Sequence, residues 1–167
     1  DDLDREVHLR VLGTAAYELK QTSLFEQCEQ KANRWFPAND PRGSICAFNR
    51  ASFEKDSGLY RQAVERSKSV IAALKEHPEQ YPTRLVRTQC LLHQIYIEQE
   101  MDVEAGVAYI KEPANGCLER LTLTLASGLI KLLRLDEARE LLKRVDPSLS
   151  SGLLAWLEQE AGNHAAS

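Results

Sequence analysis

No part of this 167-residue chain concentrates charge of one sign. Its 21 basic and 25 acidic residues are scattered, so no run of Lys and Arg can follow a phosphate backbone, and nucleic acid is not an expected partner. Long apolar runs are missing too. Leu118 to Leu135 is interrupted by Glu119, Arg120, Lys131 and Arg134, short of the roughly 20 apolar residues that cross a bilayer, so a soluble chain without membrane insertion is expected. The chain opens Asp1-Asp2-Leu3 rather than with Met, which we take to mark a trimmed or processed segment, and the lack of a signal peptide then carries no weight.

The vocabulary of catalysis is equally sparse. There is no G-x-G-x-x-G or G-x-x-x-x-G-K-[ST] stretch to cradle a nucleotide phosphate. His8, His77, His93 and His164 are dispersed and spell out no helical metal site, so no cofactor or metal is expected. Cys90 and His93, one turn apart, come nearest to a nucleophile and base, but both fall where helices are expected to pack. The chain is not expected to be an enzyme. Its four cysteines, Cys28, Cys46, Cys90 and Cys117, form no C-x-x-C pair and sit within or at the start of apolar helical patterns. That favours reduced, buried thiols in a cytoplasmic setting over a disulfide framework, while spacing leaves open a pair brought together by the fold.

What the chain does have is helical periodicity. Apolar positions recur three and four apart, as in Phe25, Cys28, Ala32, Trp35 and Phe36, or Ala63, Ser67, Val70, Ile71 and Leu74, and strand-like alternation is nearly absent. Short breaks at Gln21 to Ser23, Pro37 to Gly43, Asp56 to Gly58, His77 to Pro82, Glu100 to Asp102, Glu112 to Gly116, Arg134 to Asp136 and Asp146 to Ser151 divide it into about nine helices. Ser23, Ser57, Asp102 and Asp136 are placed to cap the helix that follows, and Pro41 and Pro82 suit a first turn. Pro37, Pro78 and Pro113 end helices, because each ring removes a backbone N–H and clashes with the preceding turn. Alternate breaks of only a few residues force antiparallel hairpins.

A repeat then becomes visible. Leu125 to Pro147, reading LASGLIKLLRLDEARELLKRVDP, resembles the tetratricopeptide repeat, in which small residues let two helices approach and a turn carrying Asp-Glu-Ala opens the second. Leu92 to Tyr109 repeats the idea with Tyr96 and Ala105, Asn49 to Pro78 with Phe53, Ala63 and Val70, and the N-terminal end with Leu12, Gly13, Ala16, Ala32 and Pro37. The resemblance implies an all-α fold, a right-handed superhelical array of antiparallel hairpins, about four of them plus a C-terminal capping helix. One domain over 1–167 is expected, with hairpins near 3–37, 41–78, 82–112 and 117–146 and a cap helix near 150–161.

In such arrays the first helix of each pair lines a concave groove that holds an extended peptide or a helix of a partner, so the resemblance implies a protein-interaction scaffold or adaptor. The family's inward positions fall on Arg10, Thr14, Tyr17 and Glu18, on Ala47, Ala51, Glu54 and Lys55, on Arg87, Cys90, Gln94 and Glu98, and on Arg120, Ser127 and Lys131. From these, Arg10, Tyr17, Lys55, Arg87, Gln94, Arg120 and Lys131 are the candidate partner-binding residues, suited to a peptide carrying acidic groups between apolar anchors. Thr14, Ala51, Gln94 and Ser127 occupy positions where chaperone-binding members carry a clamping Asn, so a chaperone tail is not the implied ligand. The plainer account of these charges is a solvated helix face. A second account is a regulatory domain that senses a small molecule or a neighbouring domain, and a third is self-association through the Leu-rich last pair and Trp156.

Overall fold

The computed structural model describes residues 1–38, 40–99, 102–109 and 118–165. The expectations placed on Pro113, Cys117 and the Glu112 to Gly116 break lie outside these residues, as does the side chain of Arg120. Among the described residues there are nine α-helices and no strand: α1 Asp2–Glu18, α2 Thr22–Trp35, α3 Ser44–Asp56, α4 Tyr60–Lys75, α5 Pro82–Glu98, α6 Val103–Tyr109, α7 Leu118–Lys131, α8 Leu135–Leu142 and α9 Pro147–Ala165. The chain is all-α, and it divides into two compact units, Asp1–Leu92 and His93–Ser167.

In the first unit α1 packs on α2 and α3, α2 on α3, and α3 on α4. A capping box opens α1: the Asp1 carboxylate accepts from the Asp4 N–H at 2.9 Å, and the terminal amine reaches back to Asp4 at 3.3 Å. The recurring apolar positions of α2 and α4 are the ones that lose water. Phe25, Cys28, Ala32 and Phe36 are buried, as are Ala63, Ser67, Val70, Ile71 and Leu74. Burying side chains the size of Phe25 or Leu74 contributes about 2 to 3 kcal/mol each.

Two features of this unit differ from what the sequence suggests. Cys28 and Cys46 form a disulfide, with Cα atoms 5.8 Å apart, so they are not the reduced thiols expected. The expectation treated each cysteine within its own helix, whereas packing α2 on α3 joins positions separated by 18 residues. Gly13 on α1 makes room for the Asn49 side chain of α3: a Cβ there would stand 2.8 Å from Asn49 Nδ2, while Cys28 Sγ at 3.6 Å would be in ordinary contact. The second is a charged network at the crossing of α2, α3 and α4. Glu54, buried on α3, receives Arg66 Nε and Nη2 at 3.0 to 3.1 Å and Arg50 Nε at 3.3 Å. Glu29 takes the remaining arms, Arg66 Nη1 at 2.8 Å and Arg50 Nη1 at 2.5 Å. Two carboxylates thus meet two guanidiniums, and the pairing satisfies the buried acid.

In the second unit α7 contacts α6, α8 and α9, and α8 packs on α9, around a core of Ile97, Val107, Ala126, Leu129, Ile130 and Leu157. Trp156 packs against this core and donates to Glu160 at 3.2 Å. The last helix is longer than the 150–161 expected. Pro147 supplies its first residue, and the Asp146 carboxylate accepts from the Ser148 N–H at 2.8 Å, so the segment resembling a loop is a capped helix start.

Gly106 brings α6 hard against the end of α5, since a Cβ there would lie 2.7 Å from Ile97 Cγ1 and 3.0 Å from Tyr96 Cβ. His93, 2 % exposed, hydrogen-bonds to the Gly106 backbone. Burial pushes its pKa down to about 4, against that hydrogen bond, which favours the charged ring. An unfolded histidine titrates near ~6.5, so between these values the unfolded chain takes up a proton that the folded chain refuses. Stability falls as the pH drops through that window, by about 2 kcal/mol from about pH 7 to about pH 5. Urea unfolding across this range measures the loss, and an NMR titration of the His93 ring locates it; a ring titrating near ~6.5 in the folded protein would contradict the assignment.

Candidate functional site

The first unit carries a hollow of about 320 Å³ where α1, the start of α3 and the start of α5 meet. Its floor is built around Arg84, whose side chain is only 12 % exposed. One arm of the guanidinium donates to the Pro41 carbonyl at 2.8 Å and to Ser44 Oγ at 3.1 Å, and the other meets Glu6 Oε1 at 3.3 Å. The group lies 4.6 Å above the Tyr81 ring, and the Tyr81 hydroxyl donates to Glu6 Oε2 at 3.1 Å. Pro82 starts α5, so the helix begins directly under these two side chains.

The electrostatics follow from crowding. Burial lowers the pKa of Arg84, with the positive charge of Arg10 acting in the same direction, while Glu6 opposes both. Burial raises that of Tyr81, and the Glu6 charge adds to the shift. Glu6 thus balances Arg84. Arg10 and Arg87, both exposed, stand on the same hollow with no carboxylate among the described residues to balance them. Ile45, Phe48 and Pro82 supply apolar wall between them.

Two of the candidate partner-binding residues, Arg10 and Arg87, are therefore brought together. Of the others, the Arg120 side chain lies outside the described residues, and Tyr17, Lys55, Gln94 and Lys131 are placed elsewhere. Tyr17 donates to Asp56 Oδ2 at 2.6 Å, with Lys55 Nζ 3.5 Å from the other oxygen, so these two face one carboxylate. That hydrogen bond, and then burial, pushes the Tyr17 pKa up to about 12. In the second unit Gln94 is 8 % exposed, and Lys131 donates to the Ile97 carbonyl at 3.0 Å near the end of α5. Arg84, Tyr81 and Glu6 were not singled out from sequence: Tyr81 lies in the His77 to Pro82 punctuation, Arg84 just past it, and the Glu6 to Arg84 pair spans 78 residues.

The second unit has a larger hollow of about 590 Å³, walled by Val107, Leu125, Leu129 and Leu141. Most charges at its rim are met within the chain, Arg134 by Glu137 at 2.6 Å, Asp136 by Arg139 at 3.2 Å and Glu140 by Lys143 at 2.6 Å, while Arg144 on the same rim forms no ion pair among the described residues. Among the described residues no group of three or more His, Cys, Asp or Glu could hold a metal ion, and no helix is long and apolar enough to cross a membrane. No family model matches the chain, and no curated protein or solved structure does so either.

Proposed function

We propose that the chain is a protein-interaction module that captures an acidic segment of a partner, with Arg10 and Arg87 as the groups that receive it. The observation that carries this is their common place on one hollow beside apolar wall, with the third guanidinium, Arg84, already balanced by Glu6. An exposed arginine without a carboxylate retains its full capacity for a bidentate contact, which is the geometry that recognises acidic groups. Tetratricopeptide-like stacking of hairpins into a groove is part of the same proposal, resting on the sequence resemblance. So is a cytoplasmic location, against which the Cys28–Cys46 disulfide weighs, because such bonds persist mainly in oxidising compartments.

The test is an array of peptides varied independently in acidic and apolar content. Acidic, apolar-flanked peptides should bind. The Arg10→Glu, Arg87→Glu double variant should bind them about tenfold or more weakly, with helicity by circular dichroism unchanged. Equal binding by the variant would defeat the proposal.

One observation favours a second reading, a ligand-sensing regulatory domain: the apolar hollow between α6, α7 and α8 has the size of a small-molecule site. Thermal shifts with a panel of apolar metabolites separate the two, since this reading requires a stabilising compound that Arg10 and Arg87 substitutions leave unaffected.

A further inference from the structure

The number of unbalanced charges on the arginine hollow says more about the ligand than its sign. Arg84 and Glu6 balance at 3.3 Å, the Tyr81 hydroxyl donates to the second oxygen of Glu6, and among the described residues neither Arg10 nor Arg87 forms an ion pair with a carboxylate. Two guanidiniums on one small hollow then call for two negative charges at one place. A single carboxylate brings one charge and two oxygens, leaving one cation unmatched. A phosphomonoester brings about −1.5 to −2 at neutral pH and three acceptor oxygens, enough for a separate charge-assisted contact to each arginine. The walls add a second requirement. Ile45 and Phe48 line the hollow beside these charges, so the favoured ligand joins its phosphate to an apolar stem that can cover them.

We infer that this hollow is a phosphomonoester site and that the acidic segment it takes is a phosphorylated side chain of a partner peptide. The inference rests on the interaction-module reading and narrows it. No covalent step is involved: the phosphate is held, and Arg84 keeps the floor in shape through its contacts to Pro41 and Ser44.

The experiment uses the whole chain and three probes, phenyl phosphate, benzoate and inorganic phosphate, titrated while NMR follows the Ile45 methyl groups, the Phe48 ring and the Nε–H signals of Arg10 and Arg87. Phenyl phosphate should shift these signals together and bind about tenfold more tightly than benzoate, which lacks the second charge, and than inorganic phosphate, which lacks the stem. Arg10→Gln and Arg87→Gln should each weaken phenyl phosphate severalfold while leaving benzoate within about twofold of its original affinity. Benzoate binding as tightly as phenyl phosphate overturns the phosphate assignment, and acidic peptides that still bind in the array leave the broader reading standing. Absence of shifts at these residues with all three probes overturns the site itself. Tight phenyl phosphate binding at Arg10 and Arg87 with no binding by phosphorylated versions of the array peptides supports the site and removes the peptide reading.

Discussion

Replacing Glu54 by Ala should cost the folded protein about 3 kcal/mol, far more than the same change at Glu29. Glu54 has a side chain only 5 % exposed and receives both Nε and Nη2 of Arg66 as well as Nε of Arg50. Removing it leaves two guanidiniums sharing one acid at the crossing of three helices, with their desolvation only partly offset. The loss is held to the lower end of the range for buried pairs because Arg66 and Arg50 are 27 % and 22 % exposed and can recover some water. Glu29, also 27 % exposed, touches the same two arginines from the outer side, so Glu29→Ala should cost about 1 kcal/mol. Urea unfolding of both variants gives the comparison, and equal losses would show that Glu54 is not the hub of the network.

That network also marks where sequence reading stops. Helical periodicity identified the buried faces of α2 and α4 because Phe25, Cys28, Ala32 and Phe36, or Ala63, Val70, Ile71 and Leu74, recur at the spacing of one helix face regardless of what they pack against. Proline was nearly as informative: Pro37 and Pro78 lie just past α2 and α4 and Pro82 opens α5, but Pro41, expected in a first turn, lies in the turn before α3, and Pro147, within what read as a break, opens α9. Side-chain caps were less so. Asp102 does cap α6, accepting from the Ala105 N–H at 2.8 Å, but Ser23 and Asp136 lie inside the first turns of α2 and α8, and Ser57 follows the end of α3. A cap depends on where one backbone turn begins, and a small polar residue near a break does not fix that.

Charges were the least legible. Glu54 among the inward positions resembled any exposed helix acid, since nothing local distinguishes it from Glu98; its burial follows from Arg66 arriving on another helix. The same holds for the candidate site. Arg10 and Arg87 came from family positions, yet the partners that decide their state, Glu6 with Arg84, meet across 78 residues. Long-range pairing of this kind is a property of helix packing and leaves no periodic trace.

Reduction of the Cys28–Cys46 bond should lower stability by about 3 kcal/mol, because the cross-link closes a loop of 18 residues and removes that much conformational freedom from the unfolded chain. Both cysteines are at most 1 % exposed, so the folded protein has no room to respond by rehydrating them. The loss appears in the unfolded ensemble: the reduced chain unfolds at lower urea, and its transition is steeper because it exposes more surface on unfolding. Cys28→Ala with Cys46→Ala should match the reduced protein to within the small cost of two missing sulfurs. Thiol counting fixes the starting state independently. Denatured without reductant, the chain should show two fewer reactive thiols than its four cysteines, and reductant should restore them. Reaction of all four before reduction would mean that α2 and α3 pack without the bond, and that protein should then be indifferent to reductant in the urea experiment as well.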